Sequence, residues 1–171
     1  VECRAAIPED IDAIMLIVRQ ARNYLKKHRV DQWQGEYPAA ENFMPDINSG
    51  HCHVMTYGGT VEGFFCLSEE PESDYDGITD GRWHGEGKYC TLHRAAVAAE
   101  FRGTGLSEKL MAVLEEKARE LGVQAIRTDT HRKNKAMQQL LRRSGFVYRG
   151  NMLCSAEPEH DPARQCFEKI L

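Results

Sequence analysis

The 171-residue sequence is short of the marks that would place it in several common classes. Its six cysteines, Cys3, Cys52, Cys66, Cys90, Cys154 and Cys166, include no CxxC pair, so neither a zinc knuckle nor a thioredoxin-type redox motif is present. Most of them fall in apolar, strand-like runs, as buried free thiols do. No secretory leader pattern stands in the sequence, and a reducing, cytoplasmic setting is expected. The longest apolar stretch, residues 11–18, contains Asp12 and is far too short to span a bilayer, so no membrane partner is expected. Basic residues are not in excess: 22 Lys and Arg against 26 Asp and Glu leave a net charge of −4. Phosphate binding over a nucleic-acid surface calls for a basic face, so no nucleic-acid partner is expected. There is no GxSxG elbow for a hydrolase, no GxGxxG, and no lysine after a second glycine to complete a Walker loop. His51-Cys52-His53 would set two imidazoles on one strand face, but no third or fourth ligand lies nearby, and no metal is expected.

What the sequence does contain is the composition of a globular chain, 42% hydrophobic and 28% charged. Its length suits one domain over residues 1–171, able to bury roughly 70% of its unfolded surface. Residues 1–6 read as a strand. A helix opened by Pro8 and two acidic residues follows, with Ile11, Ile14, Met15, Val18 and Leu25 on its apolar stripe. Residues 39–47 read as one or two helical turns interrupted at Pro45. Residues 51–57 and 60–67 flank Gly58-Gly59, the clearest hairpin signal in the chain. Residues 68–87 are acidic, glycine-containing and without a period, which predicts a long functional or mobile loop. Then come a strand (88–98), a glycine-bearing turn, a helix (107–121) with Leu110, Leu114 and Ala118 on one face, a strand (123–130), a helix (134–144) closed by Gly145, and two strands (146–155 and 164–170). The order β-α-α-β-β-β-α-β-α-β-β predicts an α/β fold: a mixed central sheet of about seven strands with helices on both faces.

The segment Arg102-Gly103-Thr104-Gly105-Leu106-Ser107 stands where a strand gives way to a helix. The first amides of a helix have no internal partner, and its dipole places about half a positive charge there. Gly103 and Gly105 leave room for a ligand to approach the backbone, Thr104 and Ser107 bring hydroxyls, and Arg102 brings a charge. Such a start is a ready phosphate site, and equally an ordinary tight β-α turn.

Arg102-x-x-Gly105-x-Ser107 resembles the coenzyme A pyrophosphate loop of the GNAT family of N-acetyltransferases, with Ser107 where the family has Gly or Ala. Leu92-His93-Arg94-Ala95-Ala96-Val97 resembles that family's central strand. Asn134 and the helix leading into Ser144-Gly145-Phe146 resemble its second motif, and the element order is the family's order. The resemblance implies an acetyl-CoA-dependent N-acetyltransferase. The backbone of Ala95, Ala96 and Val97 would pair with the pantetheine arm. The amides from Arg102 through Gly103, Thr104, Gly105, Leu106 and Ser107 would hold the pyrophosphate, and the Asn134 side chain would bond the pantetheine.

A primary amine attacks a thioester only when deprotonated, so a general base is needed. His93 on the central strand is the first candidate, because a base-type histidine stands at the matching place in one member of the family; a histidine packed in the sheet is the competing reading. Asp129 and His131, at the end of the partner strand, are further candidates, since a neighbouring carboxylate orients an imidazole. A strand-end cap and a surface histidine are the plainer reading of that pair. The family often carries a tyrosine acid near the end of the second-motif helix, where this chain has Leu141. Tyr89 and Tyr148 are other donors that the sequence alone does not place. Trp33 and Tyr37, on the loop after the first helix, are expected to wall the acceptor site together with His93, and Trp83 on the 68–87 loop to contribute. A small-molecule amine is the expected acceptor. A peptide or protein N-acetyltransferase and a non-catalytic acyl-CoA-binding module are the alternatives. An exposed sheet edge at the C-terminal hairpin suggests a homodimer.

Overall fold

In the computed structural model, which describes residues 1–171, seven strands form one mixed sheet. They are β1 (Glu2–Ala5), β2 (Cys52–Tyr57), β3 (Thr60–Ser68), β4 (Tyr89–Val97), β5 (Ala125–His131), β6 (Val147–Leu153) and β7 (Ala163–Ile170). The helices are α1 (Ile11–Lys27), α2 (Ala40–Asn48), α3 (Leu106–Glu120) and α4 (Lys135–Arg143). The sheet order is β1-β2-β3-β4-β5-β7-β6, with β7 inserted between β5 and β6. Only β4 and β5 run parallel; every other pair is antiparallel. The crossover joining the parallel pair contains α3, as the strand–helix–strand pattern predicts. Gly58 and Gly59 both have positive φ, 57° and 83°, which lets two residues close the β2–β3 hairpin.

Each helix pair buries its apolar stripe on one sheet face. Leu106, Leu110, Leu114 and Ala118 of α3 and Leu141 of α4 pack over Phe65, Leu92, Ile126 and Phe167. On the other face Ile14, Ile17, Val18 and Leu25 of α1, with Phe43 and Ile47 of α2, pack over Val54, Phe64 and Cys66. Each fully buried side chain of this size contributes about 1.5–3 kcal/mol of transfer free energy. All six cysteines are free thiols, four of them buried. No helix is long and apolar enough to cross a membrane.

Three expectations need correction. Pro45 does not interrupt α2, because Pro45 and Glu41, whose carbonyl loses its partner, are both exposed and water can serve that carbonyl. Residues 68–87 do not form an open loop. A 3-10 turn over Ser73–Gly77 lays the buried Tyr75 on Met152 and Cys166, and Trp83 packs against it, making a third small core. Finally, the outer edge of β6 is occupied within the chain. Thr79 and Asn151 exchange two backbone hydrogen bonds of 2.8 Å, and Gly81 lies so close to the Arg149 carbonyl that a Cβ would overlap it. The edge that suggested dimer pairing is therefore partly covered.

Candidate active site

β4 and β5 stay paired only from Tyr89–Thr91 opposite Ala125–Arg127. A last link, Thr128 Oγ1 donating to the Leu92 carbonyl at 2.9 Å, marks where they part. Beyond it β4 keeps β3 on one side, with Ala95 opposite Phe65 and Ala96 opposite Phe64, but has no strand on the other. The opening is a cleft of about 360 Å3. Ala95, Ala96 and Val97 form one wall and Thr128, Asp129 and Thr130 the other, with Met137 and Leu140 of α4 and Tyr24 and Trp33 closing it. An extended chain with amides of its own would find free β4 backbone groups here, as a pantetheine arm requires.

At one end of the cleft lies the start of α3. Gly103 and Gly105 have φ of 74° and 90°, a conformation that side chains disfavour, and a Cβ at either would meet nothing within 4 Å. The amides of Gly103, Gly105, Leu106 and Ser107 donate to no group of the protein. Leu106 is buried, so it anchors the helix start and offers only its backbone. Arg102 lies over the Tyr24 ring at 4.7 Å and lines the cleft. Thr104 spends its hydroxyl on the Phe101 carbonyl at 2.6 Å, whereas Ser107 lines the cleft. Four unpaired amides at a helix start, with an arginine beside them, suit a diphosphate.

His93 is the extra residue of a β-bulge. Cys66 pairs with Arg94 and Leu67 with Leu92, leaving His93 without a partner. A bulge re-aims a side chain, and this one brings the imidazole into the cleft, with Nδ1 3.9 Å from a Glu72 carboxylate oxygen. Burial, then the neighbouring Arg94 charge, lower its pKa against the opposing pull of Glu72, which favours the neutral base form.

Asp129 also faces the cleft. Burial raises its pKa from 3.8 to about 6, although the Tyr75 hydroxyl donates to it at 2.9 Å and Arg164 lies 3.9 Å away.

His131 does not join this group. It is fully buried, its Nδ1 accepts from the Lys133 amide at 3.1 Å, and its Nε2 lies 3.0 Å from Asp161, at an angle poor for a hydrogen bond. It packs against the β6–β7 connection and does not line the cleft, so the expected pairing with Asp129 is absent.

Asn134 lines the cleft but caps α4. Its Oδ1 accepts from the Met137 amide and its Nδ2 donates to Gln32 Oε1 at 3.0 Å. Trp33 is buried and walls the cleft. Its amide donates to Glu157 and its carbonyl accepts from Arg22, both at 2.8 Å. Tyr37 is not on the cleft; its hydroxyl accepts from Arg94 at 2.9 Å. Leu141 is fully buried, the Tyr89 hydroxyl accepts from the Glu72 amide, and Tyr148 bonds Asn151, so none of the three meets the cleft.

Arg94, Tyr75 and Arg164, which sequence reasoning passed over, and Glu72, which it read only as one of an acidic run able to attract a cationic acceptor, belong to the site or its support. Arg94 lines the cleft, pairs with Asp46 of α2 and holds Tyr37. Glu72 and Tyr75 come from the 68–87 segment, and Arg164 bridges Asp129 and Glu157. Arg94 had a signal in its place beside His93. The others depend on long-range packing.

A cleft between splayed parallel strands, ending on the free amides of a glycine-flanked helix start, with an imidazole on the central strand, defines an N-acetyltransferase. The chain belongs to the Acetyltransferase (GNAT) family, whose model matches residues 18–146. The structure of a GNAT-family acetyltransferase from Streptococcus agalactiae is 34% identical, with a TM-score of 0.88 over 99% of this chain and 95% of that one. A GNAT-family acetyltransferase from Listeria monocytogenes is 24% identical, with a TM-score of 0.72 over 99% and 94% of the two chains. The PaiA N-acetyltransferase of Thermoplasma acidophilum, solved in complex with coenzyme A, is 15% identical, with a TM-score of 0.73 over 99% and 98%. These last two share the fold. A comparison with curated protein sequences gave no match.

Proposed function

We propose that this chain transfers an acetyl group from acetyl-CoA to the primary amine of a small molecule by direct attack on the thioester. The observation that carries this reading is that His93, Asp129, Gly103 and Ser107 line one cleft, which ends at a helix start whose amides at Gly103, Gly105, Leu106 and Ser107 are unpaired. The diphosphate binds those amides, and the pantetheine arm lies along Ala95, Ala96 and Val97. Asn134 keeps one Nδ2 hydrogen on Gln32 and offers the other to the arm.

A typical alkyl ammonium has a pKa of about 10.4, so almost all of it is charged at neutral pH. The Asp129 carboxylate holds this ammonium, and the neutral His93 imidazole takes one proton from it. The freed amine attacks the thioester carbonyl, and a β4 backbone amide stabilises the oxyanion. The C–S bond then breaks. Two protons leave the ammonium over the reaction: one ends on the thiol sulfur, through His93, and the other passes to solvent. Leu141, sealed in the core, takes no part.

The test is a panel of acceptors with acetyl-CoA, read as release of free thiol. Small primary amines should raise the rate well above hydrolysis. A rate raised only by peptide N-termini or peptide lysines would replace the small-molecule reading with a peptide one. Coenzyme binding without acceptor-dependent thiol release would make this a binding module.

A further inference from the structure

The Ser73–Gly77 turn reaches both splayed strands at once. Glu72, at its start, stands 3.9 Å from His93 on β4. Tyr75, at its centre, donates its hydroxyl to Asp129 Oδ2 on β5 at 2.9 Å. That is the one hydrogen bond made to the Asp129 carboxylate by a protein group, since Arg164 Nε lies 3.9 Å away. Tyr75 itself is fixed. It is 2% exposed, it rests on Met152 and Cys166, its ring centroid lies 4.9 Å from that of Trp83, and the indole N–H donates to the Tyr75 carbonyl at 3.0 Å. A stiff donor on one carboxylate oxygen sets the plane of the group and leaves its other lone pairs to the cleft.

We propose that Tyr75 is a positioning residue for acetyl transfer, fixing the Asp129 carboxylate as the cradle for the acceptor's ammonium group. This rests on the reading of Asp129 given above. Tyr75 does not line the cleft and acts through Asp129 alone. The charged and titratable groups that bear on Asp129 are Arg164 from β7, Glu72 and Asp74 from the turn, Tyr37 beyond Arg94, and the thiols of Cys154 and Cys166. Of these, Arg164 favours the carboxylate, and Glu72 and Asp74 oppose it. Tyr75 adds the hydrogen bond that favours it.

The experiment is Tyr75→Phe, which keeps the packed ring and removes the hydroxyl. Two quantities are measured on it and on the parent: the titration midpoint of the Asp129 carboxyl by carbon-13 NMR, assigned with Asp129→Asn, and the pH profile of kcat/KM. The parent midpoint should lie at about 6, where burial pushes the carboxyl. Losing a hydrogen bond to a charged group should raise it by about one unit. The acid limb of kcat/KM should follow, giving about a five-fold loss near pH 6 that shrinks towards pH 8. A midpoint that does not move overturns the proposal. So does a midpoint that moves while the limb stays, or an equal loss at every pH, which a purely structural role would give. A parent protein that acetylates no amine overturns the transfer reading separately, and the carboxyl midpoint then still decides whether the hydroxyl controls Asp129.

Discussion

Replacing Gly105 with Asp and, separately, with Asn isolates what the helix start does. Position 105 has φ of 90°, and nothing lies within 4 Å of where a Cβ would go. Both side chains therefore meet the same backbone strain, about 1 kcal/mol, and neither clashes with a neighbour. They differ by one charge. A carboxylate there competes for the amides of Leu106 and Ser107, and it stands roughly 5 Å from a diphosphate held by the same amides. At that distance each pair of like charges costs about 1 kcal/mol in water and about 3 kcal/mol at an effective dielectric constant of 20. Asp should therefore weaken acetyl-CoA binding at least about ten-fold more than Asn does. The gap should narrow as salt is raised through the range where the Debye length falls below about 10 Å. Isothermal titration at two salt concentrations gives both numbers, and circular dichroism checks that the two variants melt alike. Equal affinities for Asp and Asn would refute the placement of the diphosphate.

Acetyl-CoA at about 100 times its Kd should add about 2.7 kcal/mol to the folded state, raising Tm by roughly 5–10 °C; an unmoved melting curve at that ratio speaks against a folded coenzyme site. His93→Ala should lower kcat about 100-fold with coenzyme affinity little changed, as expected of a lost general base. Unchanged turnover removes His93 from the mechanism. Asp129→Asn should stabilise the protein at pH 8. Burial raises the Asp129 pKa to about 6 from an unfolded value near 3.9, so ionising it costs the folded state up to about 3 kcal/mol, a cost that is absent below pH 4, grows as pH rises from about 4 to about 6 and is complete above that. Melting curves of the two proteins should therefore separate at pH 8 and coincide at pH 4; the reverse order contradicts the assignment. Glu168→Ala should destabilise by about 3–5 kcal/mol, read by urea unfolding, because Glu168 is fully buried and takes hydrogen bonds from Arg127, Arg149 and the amides of His84 and Gly85. A loss under 1 kcal/mol would mean that water replaces it.

The elements were legible where local physics decides. Leu110, Leu114 and Ala118 repeat at helical spacing, and Gly58-Gly59 supplies the positive φ that a two-residue hairpin needs. The insertion of β7 between β5 and β6 was not legible, because strand neighbours are chosen by packing across the whole sheet. The 68–87 segment read as a loop because Tyr75, Ile78 and Trp83 follow no period, yet they meet over Met152 and Cys166.

The candidate site divides in the same way. The free amides of Gly103, Gly105, Leu106 and Ser107 follow from two glycines before a helix, whereas those of Arg102 and Thr104, also expected to hold the pyrophosphate, donate to the Ala99 and Phe101 carbonyls. The bulge that turns His93 into the cleft depends on β3 register, which no local pattern fixes. Tyr37 looked like an acceptor wall because it is aromatic and on a polar loop, but Arg94, tied to Asp46, claims its hydroxyl. His131 sits on the expected strand, but Asp161, 30 residues on in sequence, faces its ring.

The most direct test of the central claim is mass spectrometry of a quenched reaction of the protein with acetyl-CoA and its best small amine, weighing product and intact protein together. Direct transfer within this cleft predicts acetyl on the amine, none retained on the protein, and about 100-fold less acetylated amine from His93→Ala. Acetyl found on the protein, or no acetylated amine from any acceptor while coenzyme binds, would contradict it.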